Sequence, residues 1–308
     1  MVDRLRERLK SAPHLIFYTT LIFVIASIGI VLFIDVTDPG HMRSEWIYSG
    51  GTTLDELHLF FWWHWFEIPI ENPLQWAFLS ATIALFLMTA GAAHQRQDSA
   101  IYEFSILITA GLVLMLIEDV ADPRHILRTD LGAIFGEGGY GYVGTFVELA
   151  YFAMIGAVMM LALVAHRRAY WRFPRVRRYL LSGYVFYAIA VSSSWLGSAF
   201  RSLHPDRDDL YTLVGQVICD FLFLDGGHTE EQYRHVQSIL YQLDGEPLGF
   251  YFMDRLYEES LELLGASALL VAALSLFLAS TKDDDSASAH DDPSDDPSDA
   301  TSLSQSSR

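Results

Sequence analysis

Asp35-Val36-Thr37-Asp38-Pro39-Gly40-His41 recurs as Asp119-Val120-Ala121-Asp122-Pro123-Arg124-His125, with five of the seven positions identical and each copy following directly on a long apolar run. A repeat at matching places in two hydrophobic segments implies a chain built from helical hairpins, with carboxylates and a histidine carried at equivalent ends.

Working outward from the repeat, six apolar runs are long enough to cross a hydrocarbon core of about 30 Å. They cover residues 14–34, 74–93, 100–118, 143–165, 179–200 and 260–280. The chain is 52% hydrophobic yet carries a formal charge of −18. The two properties are separated along the chain, with the charges between and after the runs. The expected fold is therefore all-α, a polytopic membrane helical bundle with the transmembrane domain over 1–280. Lysine occurs twice against 18 arginines, and the excess of acids gives a halophile-like acidic composition. The acidic balance also predicts that nucleic acid is not a partner, because phosphate backbones need a basic footprint. Cys219 is the single cysteine, so no intrachain disulfide framework or Cys-rich metal motif exists.

Orientation follows from arginine placement. With the N-terminus inside, segments 1–13, 94–99 and 166–178 hold 11 basic and 3 acidic residues, whereas 35–73, 119–142 and 201–254 hold 6 basic and 21 acidic. The positive-inside rule then predicts six spans, N-in and C-in, in the plasma membrane, with the longer loops outside. The basic residues Arg4, Arg6, Arg8 and Lys10 resemble the start of a signal peptide. The apolar run behind them is too long for one, and it reads as a retained anchor. Residues 209–224 are apolar but interrupted by Gln216 and Asp220, and read as a half-buried or re-entrant external helix.

Two interfacial helices are predicted outside the spans. Thr53 with Glu56 forms a capping-box pattern ahead of Leu54, Leu57, Phe61, Trp62 and Trp65; Thr229 with Gln232 does the same ahead of Tyr233, Val236, Leu240 and Leu243. Residues 281–308 hold eight aspartates and little that could be buried, so a disordered acidic tail is expected.

The repeated motif supplies metal-ligand candidates: Asp35, Asp38 and His41 in one copy, Asp119, Asp122 and His125 in the other. Asp at a helix C-terminus meets the negative end of the dipole and calls for compensation. A divalent metal held by carboxylate and imidazole would provide it. The neighbouring arginines Arg43, Arg124 and Arg128 would provide it equally, and Asp-x-x-Asp-Pro also reads simply as a helix stop. A second candidate is an acidic pocket formed by Glu118, Glu148 and Glu262 with Glu258 and Glu259. Glu148 lies roughly 7 Å inside its span at 1.5 Å per residue, a depth at which an acid faces the bundle interior with a partner. Glu148 and Glu262 are the general-base candidates.

His228, Glu231 and His235 share one helical face, as expected of a solvated surface. Ser192, Ser193, Ser194 and Ser198 suit close helix packing. No span carries a charge near its centre, which argues against a coupled transporter, and no mid-span histidine offers a haem ligand. Two readings follow. One is a metal-dependent membrane enzyme acting on a lipid or exported substrate; the other is a non-enzymatic membrane sensor or binding module.

Overall fold

The computed structural model describes residues 2–49, 60–63, 71–121, 142–203, 209–224, 228–243 and 247–281, with a few isolated positions between 122 and 141. The protein is all-α. Among the described residues no strand occurs, and six helices are long and apolar enough to cross a membrane. In lipid only a structure that satisfies its own backbone groups is viable, and uninterrupted helices of Leu, Ile, Val, Ala and Phe do so. Hydroxyls inside the spans turn back onto the helix: Thr82 and Thr89 donate to Phe78 O and Leu85 O at 2.7 and 2.8 Å.

The spanning helices are α1 (Val2–Thr37), α3 (Glu71–Gln95), α4 (Ser99–Ala121), α5 (Tyr142–Ala165), α7 (Pro174–Leu203) and α11 (Glu259–Ser280). Short helices intervene: α2 (Met42–Ser49), α6 (Arg167–Trp171), α8 (Leu210–Phe223), α9 (His228–Leu243) and α10 (Leu248–Tyr251). The last span starts earlier than its apolar run suggests, because α10 leads through a π-helical stretch, Phe252–Glu258, straight into α11. Residues 248–254, expected to belong to a loop, are thus helical.

The last span is the centre of the bundle. Its apolar stretch is 78% buried, against 22–39% in the other five, and it packs on α1, α3 and α7. Its small residues permit this. A Cβ on Gly265 would stand 2.7 Å from the Tyr187 ring, and one on Gly183 would stand 3.1 Å from Gly265 O, so α7 and α11 meet where neither has a side chain. The α3–α4 and α4–α5 pairs pack as neighbouring hairpins around it.

A second core forms a cap over one end of the bundle. Phe60, Trp62 and Trp63 pack with Val31, Ile47, Phe223, Tyr233, Val236, Leu240, Tyr251 and Phe252. The predicted helix over 230–243 is present as α9, with Tyr233, Val236 and Leu240 almost fully buried. Of its predicted capping box, the Thr229 side chain lies outside the described residues; Gln232 is buried and turned to Arg43 and Ser44, because a buried guanidinium is a strong claimant on its amide oxygen. Thr53, Glu56 and most of the other predicted interfacial helix lie outside the described residues; Phe61, Trp62 and Trp63 are helical. Residues 209–224 form α8, too short to span, capped by Asp209, which accepts from Thr212 N at 2.9 Å. At Gly215 a Cβ would stand 1.9 Å from Gly249 O, so α8 and α10 touch backbone to backbone. The acidic tail after Thr281 lies outside the described residues.

Candidate functional site

The two motif copies have different surroundings. In the first, the Asp35 carboxylate is fully buried and each of its oxygens accepts a backbone N–H, from Phe61 at 2.8 Å and Trp62 at 2.9 Å. Its own carbonyl accepts from Arg43 Nη1. Arg43 is 1% exposed, and its Nε donates to Gln232 Oε1 at 2.6 Å. Asp38, in the left-handed region with φ 47°, caps α2: it accepts from Arg43 N at 2.8 Å, Ser44 N at 3.2 Å and the Ser44 hydroxyl. Burial opposes its ionisation, but the Ser44 hydroxyl and amide and the Arg43 guanidinium outweigh burial and hold it below the usual carboxylate range. His41 is exposed. The first copy is an anchor for the cap, with arginine as the compensating cation.

In the second copy Asp119 points into the bundle. The Gln75 Nε2 donates to Asp119 Oδ2 at 2.8 Å and to Glu262 Oε2 at 2.9 Å. The two carboxylate oxygens are therefore held no more than two hydrogen-bond lengths apart, by one amide from α3 between α4 and α11. Gln75 is fully buried, and its Oε1 meets no hydrogen-bond donor. Beneath lies a cavity of about 250 Å³ whose polar end is Glu118, Asp119, Glu262 and Tyr187, and whose walls include Met115, Phe152, Ile155 and Met159. The Tyr187 hydroxyl is sealed from solvent and also meets no hydrogen-bond partner. On the rim, Met160 is 52% exposed and Ala188 is exposed, which places the mouth between α5 and α7 on the side of the bundle.

Glu118, Asp119 and Glu262 line this cavity together: the first and last were grouped in the acidic-pocket reading, whereas Asp119 was assigned to the repeated motif. Glu148 is buried on α5 but does not line this cavity. Glu258 takes a different neighbour, accepting from the Tyr211 hydroxyl of α8 at 3.0 Å. Asp35 and Asp119 share no partner: one is engaged by the 61–62 backbone, the other by Gln75. Asp122 and His125 lie outside the described residues, as do Arg124 and Arg128. Among the described residues no group of three or more His, Cys, Asp and Glu side chains is arranged to hold a metal ion. Glu231 and His235 are exposed on α9.

Gln75 and Tyr187 were not singled out from sequence. For Gln75 the signal was present: it is a lone amide inside the apolar run that opens the second span, and such a group needs a partner in lipid. Tyr187 stands among other aromatic residues of α7 and gave none. No family model matches this sequence, and neither curated proteins nor solved structures include a significant match.

Proposed function

We propose that this is a plasma-membrane binding module, oriented N-in and C-in, whose site is the Gln75–Asp119–Glu262 cluster at the polar end of the cavity between α4, α5, α7 and α11. The observation that carries the reading is one buried amide bridging two carboxylates above a compact apolar chamber that opens sideways. Apolar walls with a few convergent polar groups are the ordinary make-up of a small-molecule site. The polar end of the cavity is rich in acceptors, the carboxylates of Glu118, Asp119 and Glu262. Its ligand is accordingly a membrane-soluble molecule with an apolar body and a hydrogen-bond-donating head, hydroxyl or ammonium, and the cavity holds one chain rather than two.

A metal-dependent reaction finds less support, since the carboxylates of the first motif copy are engaged by backbone amides and by Arg43 and Ser44.

Gly156 offers the test. It lines the cavity, and a Cβ there would meet nothing within 4 Å, so Gly156→Leu fills the chamber without a clash at its base. In nanodiscs, an apolar photoactivated diazirine should label Met115, Phe152 or Met159, and Gly156→Leu should cut that labelling severalfold. Labelling confined to the outward faces of α5 and α7, equal in both proteins, would contradict the proposal.

A further inference from the structure

At the opposite end of the bundle a larger cavity, about 850 Å³, lies between α1, the start of α7 and the end of α11. Its lining divides into two kinds. Phe17, Val176, Leu278 and Ala279 are apolar, while Arg175, Arg178, Ser182 and Ser275 carry donors. Ser275 is 7% exposed, and its hydroxyl, shut from solvent, has no hydrogen-bond partner among the described residues. The first turn of α7 forms part of the wall and sets the positive end of the helix dipole beside the two guanidinium groups. His14 is held on the far side by the Tyr179 hydroxyl at 2.7 Å. Among the described residues no Asp or Glu lines the cavity.

We infer that this cavity binds the phosphate headgroup of an anionic phospholipid, with an acyl chain lying along its apolar wall. Arginine presents a planar fork that matches phosphate oxygens, and basic pockets between spans at the positively charged membrane face are suited to acidic headgroups. A free phosphate would satisfy the arginines, the helix end and Ser275, but would leave the wall formed by Phe17, Leu278 and Ala279 without a partner. The lipid is therefore the favoured source of the phosphate.

The test uses the full chain in nanodiscs of phosphatidylcholine with or without phosphatidylglycerol, and native mass spectrometry to count retained lipid. The wild-type protein should retain phosphatidylglycerol over phosphatidylcholine. The double variant Arg175→Gln, Arg178→Gln should lose at least about tenfold of that preference, at roughly 1 kcal/mol for each basic residue near an anionic surface. Arg168→Gln, an exposed arginine of the same end that does not line the cavity, should change it little. Ser275→Ala, which keeps both charges, should weaken retention by a few-fold. Inorganic phosphate at millimolar concentration should not displace the lipid. Equal losses in Arg168→Gln and the double variant would reduce the effect to general surface charge and overturn the site. Displacement by inorganic phosphate would assign the cavity to a soluble anion. Lipid retention appearing only after removal of residues 283–308 would assign it to the aspartates of the chain's own tail.

Discussion

Asp35 and Asp119 occupy the same position of the same motif, yet one is an anchor and the other a binding-site candidate. What separates them is the donor each one meets. Asp35 faces two backbone N–H groups of a buried aromatic turn, and its carbonyl accepts from Arg43, so its carboxylate and its carbonyl together close a structural circuit that joins α1, α2, α9 and the cap. Asp119 meets the amide it shares with Glu262, the Trp76 indole and two further acids, Glu118 and Glu262, beside a cavity. The repeat therefore keeps the place of the carboxylate at the end of a span while the donors around it differ.

The largest effect should come from the anchor. Arg43→Met leaves Asp38, the Asp35 carbonyl and Gln232 without their buried donor, and breaking such a network by removing one partner costs about 3–5 kcal/mol. Denaturant titration in lipid or detergent should show it, and an effect below 1 kcal/mol would break the contrast. Gly215→Ala should follow, at about 1–3 kcal/mol, because the new methyl would be driven into the Gly249 carbonyl and separate α8 from α10. Its damage should remain in the cap. Hydrogen exchange should rise in α8 and α10 and stay unchanged in α4 and the cavity-facing part of α11.

Much of this fold could be read from the residues. Six spans follow from run length and polarity, and the Arg43 pairing was one of the two compensations expected for the first motif. Two features were not legible. The central role of the last span depends on how its small buried residues, Gly265, Ala266, Ser267 and Ala268, let α1, α3 and α7 close around it, and small residues signal closeness without naming the partner. The site depends on Gln75, Asp119 and Glu262: Asp119 and Glu262 were singled out for separate roles, and their convergence with Gln75 from three helices is a tertiary fact. Gln232 shows a related effect, since a residue expected in a local pattern is engaged by a partner 189 positions away.

A smaller effect should appear as a pH dependence of the anchor. Asp38 has its folded pKa held below the unfolded value of about 3.9, so its contribution to stability is complete above that value. It is lost as the pH falls through the folded pKa. Asp38→Asn should lower the melting temperature at neutral pH and flatten its fall on acidification below about pH 4. A parallel shift at every pH would show that Asp38 contributes through shape rather than charge.

The most direct measurement compares Asp35→Asn and Asp119→Asn in one experiment, reading unfolding free energy and occupancy of the α4–α5–α7–α11 cavity by an apolar amine such as dodecylamine. Asp35→Asn sets an amide donor against a buried backbone N–H and should cost about 1–3 kcal/mol while leaving occupancy unchanged. Asp119→Asn should cost under about 1 kcal/mol, because Gln75 can still donate to the new amide oxygen, and should weaken amine binding about tenfold or more. The opposite pattern, with occupancy lost in Asp35→Asn and stability lost in Asp119→Asn, would contradict the division of labour between the two copies.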